Sequence, residues 1–236
     1  MSLLSTRDLT KDFGGLRAVD SVAFDLPPGE IRAVIGPNGA GKTTFVSLLS
    51  GRLSPSAGTV TFDGRDVTRL PAHRRVGLGI AYTFQITSVF ANLSLFDNVA
   101  LAVQRRGVRD LRAETMAALD RVGLADHADG IARTQSYGHQ RLLEVAMGLA
   151  LRPKLLILDE PTQGLAAGEI DGFLGLVRDV SREATVLLIE HNMDVVMSLA
   201  DRITVLNFGA VLAEGTPDEI RANRTVQAAY LGDSVA

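Results

Sequence analysis

The first thirty residues alternate apolar and polar positions, most clearly in Ser21-Val-Ala-Phe-Asp-Leu, and close on the turn-forming Pro27-Pro28-Gly29. A two-residue period of this kind predicts an antiparallel β-layer with one buried face. The pattern then changes. Ile31 to Ile35 reads as a buried strand running into a glycine-rich loop and a helix that starts near Lys42. Gly58 to Val67 predicts a hairpin that turns at Asp63-Gly64. From about Phe96 to Ala150 the chain is expected to be mostly helical, with Leu142, Val145, Ala146 and Leu149 on one helix face. Two further buried strands, Leu155 to Leu158 and Thr185 to Ile189, flank a helix around Glu169 to Arg182. Strand and helix in alternation predict an α/β fold whose mostly parallel sheet is covered on both faces, with a helical segment inserted between its strands.

Composition narrows the class. The 236 residues are 46% hydrophobic and 22% charged, which is ordinary for a globular chain. A net charge of −3 gives no basic surface of the kind that leads nucleic-acid binding, so no nucleic-acid partner is expected. The chain has no cysteine, which excludes a disulfide scaffold and fits a reducing compartment. The N-terminal Met1 to Gly15 has no apolar core of signal-peptide length, and no segment approaches the roughly 20 apolar residues that span a bilayer. The basic stretch Arg105 to Arg112 reads as a solvated turn between helices. A soluble protein is expected.

The chemistry begins at Gly36-Pro37-Asn38-Gly39-Ala40-Gly41-Lys42-Thr43, which fits the phosphate-binding loop G-x-x-x-x-G-K-S/T. It lies between a strand and a helix, where backbone N–H groups can turn around phosphate oxygens at a helix N-terminus. Lys42 is expected to reach the β- and γ-phosphates and the Thr43 hydroxyl to ligate Mg²⁺, with Thr44 beside it. Leu155-Leu-Ile-Leu158-Asp159-Glu160 is an apolar strand ending in two acids at the sheet edge where open α/β folds bind ligands. Asp159 suits the Mg²⁺ shell, and Glu160 suits a general base for an attacking water. Taken alone, the acid pair also reads as a helix cap beside a turn.

With Ser136-Tyr137-Gly138-His139-Gln140-Arg141 ahead of a helix, the chain resembles the ABC ATPase family over nearly its whole length, because this segment is similar to the family signature LSGGQ. The resemblance implies one phosphate-loop ATPase domain over residues 1–236, with a core of about 1–85 and 155–236 and a helical insert of about 86–154. It implies that Ser136 and Gly138 contact the γ-phosphate held by a partner subunit; as a residue before a helix, Ser136 also reads as a cap. Gln85 is similar to the glutamine that senses Mg²⁺ and the water, at the end of a strand expected over Ile80 to Phe84. His191 is similar to the switch histidine. Phe13 is similar to the aromatic residue that stacks on adenine, although by itself it reads as core. Pro161 to Ala166 takes the place of the D-loop. Four positions depart from the pattern: Gln135, Tyr137 and His139 in the signature, and Ala166 in the D-loop.

The resemblance is strongest to importers of branched-chain amino acids, through Ala81-Tyr-Thr-Phe-Gln85, Ser136-Tyr137-Gly138 and Ala229-Tyr230-Leu231-Gly232. It implies ATP and Mg²⁺ as ligands and a second ATPase subunit, alike or different. It also implies transmembrane permeases, a secreted solute-binding protein, and a place on the inner face of the cell membrane. A lipopolysaccharide-export ATPase shares a similar tail, Glu214-Gly215-Thr216-Pro217 and then Tyr230-Leu231-Gly232, and stands as the alternative. A phosphate-loop kinase and a non-transport ABC protein are the other classes. Ser136 to Arg141 and His191 argue against the first, and the absence of long coiled coils or a second cassette argues against the second.

Overall fold

The computed structural model describes residues 2–83 and 88–231. Its first layer is the antiparallel sheet expected from the alternation. Strand β1 (Leu4–Phe13) pairs with β2 (Leu16–Leu26), and on its other side with β4 (Ala57–Phe62), which continues into the short β5 (Arg65–Asp66). The alternate residues Leu4, Leu9, Val22, Phe24, Val60 and Phe62 are buried, as a half-covered antiparallel sheet requires.

The second sheet has six strands. These are β3 (Ile31–Ile35), β6 (Ile80–Tyr82), β7 (Leu155–Asp159), β8 (Thr185–Ile189), β9 (Arg202–Asn207) and β10 (Ala210–Gly215), in the order β10-β9-β3-β8-β7-β6. All neighbours are parallel except β9 and β10. Every residue of β3, β7 and β8 is buried, because helices cover both faces. Buried polarity in β3 is matched across the sheet: Arg32 donates to Glu30 at 2.5 Å, Thr204 at 3.0 Å and Glu214 at 3.1 Å.

Helix α1 (Lys42–Ser50) lies between the two sheets, with Phe45, Val46, Leu48 and Leu49 packed among the inward residues of both. The far end of α1 is closed by a buried cation from α2 (Ala72–Leu78). Arg75 donates to the carbonyls of Leu48 at 2.8 Å and Leu49 at 2.7 Å, and to those of Thr68 and Leu70. A cation at a helix C-terminus meets both the orphan carbonyls and the dipole. Burial pushes the Arg75 guanidinium down to about 10.

Between β6 and β7 come α3 (Leu95–Gln104), α4 (Leu111–Arg121) and α5 (Tyr137–Ala150). They share one core with α6 (Ala167–Ser181) and the near face of the six-stranded sheet, through Val99, Leu119, Leu143, Phe173 and Leu188. Helices α7 (Met193–Leu199), α8 (Pro217–Ala222) and α9 (Arg224–Leu231) extend the cover of that same face over β3 and β9, through Ala33, Ile35, Ile203 and Val205, while α1 lies on the opposite face.

Three expectations change. The strand read to Phe84 ends at Tyr82 as β6; Phe84 and Gln85 lie outside the described residues. The strand read to Leu158 includes Asp159, whose register partner is Ile189. The basic stretch Arg105 to Arg112 does contain the turn from α3 to α4. Arg106, however, is largely covered, donating to Glu114 at 2.9 Å and to the Ala150 carbonyl at 3.2 Å.

Candidate active site

The glycine-rich loop occupies residues 36–41, from the end of β3 to the start of α1. Two of its glycines are dictated by the surroundings. A Cβ on Gly36 would collide with the Leu206 carbonyl oxygen of β9, and one on Gly41 with the Ala18 carbonyl oxygen of β2. Gly41 also has φ 95°, a left-handed conformation suited to glycine. It offers no side-chain cap, so the N–H groups of the first turn of α1 face outward as an anion site. Lys42 Nζ donates to the carbonyls of Gly36 at 2.7 Å and Pro37 at 3.1 Å. Burial lowers its pKa, opposed by the charges of Glu160 and Asp159. Thr43 is exposed and Thr44 half-buried on the same turn.

The two acids sit on the C-terminal end of β7, one strand beyond β8 from the loop. Asp159 is buried and accepts a 2.5 Å hydrogen bond from the Tyr82 hydroxyl. Its pKa is raised, first by burial and also by the Glu160 charge, while the Tyr82 bond pulls it down. Arg52 donates to the Tyr82 hydroxyl at 3.1 Å and stacks over its ring. Glu160 follows with φ 48°, a left-handed backbone that a non-glycine residue adopts at a cost. Its N–H donates to the Ile189 carbonyl at 2.8 Å, and its carbonyl accepts from Arg141 at 3.0 Å. His191 lies after β8, mostly exposed, with Nδ1 3.9 Å from Glu160 Oε1.

The signature segment starts α5. Ser136 is its N-cap and accepts from the His139 N–H at 3.1 Å. Gly138 lies against the Glu169 carboxylate, and a Cβ there would sit 2.9 Å from Oε1 and require that side chain to move. Tyr137, one of the departures, packs its ring on Gly164 of the D-loop, where a Cβ would strike it. His139 packs against His127, ring centroids 4.9 Å apart and planes tilted by 51°. Phe13, half-exposed at the end of β1, carries Lys11 Nζ at 5.1 Å from its ring.

The geometry therefore brings the loop, Asp159, Glu160 and His191 to one end of the six-stranded sheet. Ser136 and Gly138 stand on α5. Three contributors were missed from sequence. Tyr82 and Arg141 act through partners 77 and 19 residues away. Glu190, fully buried beside His191, had a local signal: like Asp159, it is an acid at the end of an apolar strand.

The fold and the loop between β3 and α1 make this a phosphate-loop nucleotide-binding protein. A family model described as "ABC transporter" matches residues 19–163, and one described as "Branched-chain amino acid ATP-binding cassette transporter" matches residues 210–236. The chain is 38% identical to the high-affinity branched-chain amino acid transport ATP-binding protein BraF of Pseudomonas aeruginosa, over 98% of each chain. It is also 38% identical to the corresponding protein LivG of Escherichia coli, again over 98% of each. A solved ATP-binding cassette of an ABC transporter, MJ1267, has a TM-score of 0.89 at 26% identity, covering 98% of this chain and 99% of that one. The chain belongs to the ABC transporter family, as an ATP-binding, ATP-hydrolysing subunit. ATPases of this family dimerise and work with transmembrane permeases. Among the described residues, no helix is long and apolar enough to cross a membrane.

Proposed function

We propose that this chain powers the import of branched-chain amino acids or related small solutes. The observation that carries the reading is its likeness to BraF and LivG along the whole chain, joined by the separate match of the C-terminal residues 210–236. That second match favours import over lipopolysaccharide export.

One ATP binds with its phosphates in the loop 36–41 and its adenine on Phe13. Lys42 turns from the Gly36 and Pro37 carbonyls to the β- and γ-phosphates. Thr44 and the N–H groups of Gly39 and Gly41 complete the cradle, together with that of Ala40 once it leaves the Pro37 carbonyl, and with Asn38 at its rim. The oxygen donors present fit Mg²⁺, a hard cation bound through one or two protein oxygens plus phosphate oxygens. Thr43 and Asp159 would hold it, with Gln85 as the third ligand, and when bound it supplies charge neutralisation at the phosphates. Glu160 takes a proton from the attacking water, and His191, across the same gap, contacts the γ-phosphate. Ser136 and Gly138 present the N-terminus of α5 to the γ-phosphate of the partner subunit's ATP. The chain works as one domain, residues 1–236, whose insert of about 86–154 carries the signature. It acts on the inner face of the membrane, with two permeases, a second ATPase subunit and a solute-binding protein outside.

Co-expression with its permeases and solute-binding protein in vesicles tests the reading. ATP-dependent uptake of labelled leucine, isoleucine or valine is expected, and loss of that uptake in Glu160→Gln. Permease-stimulated ATP hydrolysis with no uptake of any of the three would overturn the substrate assignment. Recovery of the chain on protein-free liposomes at moderate salt would contradict its dependence on a permease for membrane attachment.

A further inference from the structure

Glu190 has no part in the chemistry just described, yet its carboxylate is fully buried between two segments that do. One oxygen, Oε1, accepts from the Thr162 N–H at 2.9 Å and from the Thr162 hydroxyl. The other, Oε2, accepts from the N–H groups of His191 at 3.0 Å and Asn192 at 3.2 Å. All four contacts are donors, and three are backbone N–H groups at the starts of loops. Thr162 is two residues beyond Glu160, and His191 is next to Glu190 itself. The two oxygens of one carboxylate thus fix the origins of the segments bearing Glu160 and His191, whose side chains stand 3.9 Å apart. A bidentate acceptor with every lone-pair direction engaged is a rigid spacer, and hydrogen bonds to a charged acceptor are the stronger kind.

We propose that Glu190 is a positioning residue for hydrolysis, holding His191 and Glu160 at their working separation through Thr162. This rests on the assignment of His191 and Glu160 as the hydrolytic pair. Misplacement by about 1 Å can cost about 100-fold in rate while leaving ligand binding intact. Glu190→Gln keeps the volume but turns one acceptor into an NH₂ donor facing existing donors, so one of the two loops is pushed away.

The test is a double-mutant cycle on ATP hydrolysis by the full chain, with nucleotide affinity read in parallel by titration of a fluorescent ATP analogue. Glu190→Gln is expected to lower kcat about 10-fold or more, with analogue affinity within about threefold of wild type. In a His191→Ala background the same substitution is expected to lower kcat by less than about twofold, because what Glu190 sets is the His191–Glu160 separation, which no longer matters once the imidazole is gone. Thr162→Val, which removes one donor and keeps the volume, is expected to show a smaller loss with the same non-additivity. It serves in place of Glu190→Gln should that variant fail to fold. Full multiplication of the two losses would overturn the positioning role while leaving the His191 assignment standing, as would an unchanged kcat in folded Glu190→Gln. Normal turnover in His191→Ala alone would instead overturn the hydrolytic assignment of His191, and the role of Glu190 with it.

Discussion

Arg141 and Glu160 are joined across the molecule: Nη2 of the signature-helix arginine donates to the Glu160 carbonyl oxygen at 3.0 Å. Arg141 is itself buried on α5 and donates from Nη1 to Glu144 at 3.1 Å. Glu160 at φ 48° is disfavoured for an L-residue by about 1–2 kcal/mol. Its conformation persists because the Ile189 carbonyl and Arg141 hold the peptide groups on either side of its Cα. The signature helix of each subunit is thereby tied to the acid of its own site.

Arg141→Lys tests this tie. A lysine keeps the charge but lacks the planar fork that reaches Glu144 and the Glu160 carbonyl together. Turnover is expected to fall about 10–100-fold, with ATP affinity nearly unchanged, as for a displaced catalytic group. Steady-state kinetics beside equilibrium binding give the answer, and equal losses in both would point to general unfolding.

Glu160→Gln removes the base and keeps the shape. Hydrolysis should slow by about 10²–10⁴. The variant should accumulate as an ATP-bound dimer on size exclusion. Near-normal phosphate release in this variant would remove Glu160 from its role.

Arg75→Met should destabilise the fold by about 3 kcal/mol, because four carbonyls that now share its donors lose them inside the protein. The gain from no longer burying a charge offsets part of that cost. Urea unfolding measures the loss. Since Arg75 closes the far end of the helix that begins at Lys42, nucleotide binding should be restored to that variant by an added stabilising osmolyte.

How much of this was legible in the sequence depended on the range over which each residue finds its partner. Strands β3, β7 and β8 were visible because burial on both faces leaves a local apolar signature. The phosphate loop and the Asp159-Glu160 pair were visible because their residue types and strand-end context are local too. Strands β9 and β10 escaped notice: Arg202 and Thr204 interrupt the apolar pattern, and Thr204 is tolerated inside only because Glu214 and Arg32 reach it. Tyr82 on Asp159, and Thr162 on Glu190, are contacts over 77 and 28 residues that no periodicity encodes. Tyr137 departs from the general signature, and the Gly164 that accommodates its ring lies 27 positions downstream.

Mixed dimers test whether the site is shared between subunits. Lys42→Ala damages the phosphate loop in cis, and Ser136→Ala removes a contact made in trans. In a mixed dimer both lesions fall in one site, and the other site keeps both residues intact. On a Glu160→Gln background, the mixture should therefore occlude one ATP per dimer where each parent occludes almost none. Native mass spectrometry of differently tagged chains counts the nucleotide. Mixed dimers that retain no more ATP than either parent would remove Ser136 from its trans role.

Gly36 and Gly41 are pinned by carbonyl oxygens of two different sheets, and this has an evolutionary consequence. Replacing either disturbs the junction of those sheets before any nucleotide is involved. Selection for folding alone is enough to preserve them, whereas Lys42 and Glu160 are kept by turnover. A duplicated copy that survives as an inactive scaffold is therefore expected to retain both glycines long after the lysine and the glutamate have drifted. Glycine spacing marks descent, and the two charged residues mark a working engine.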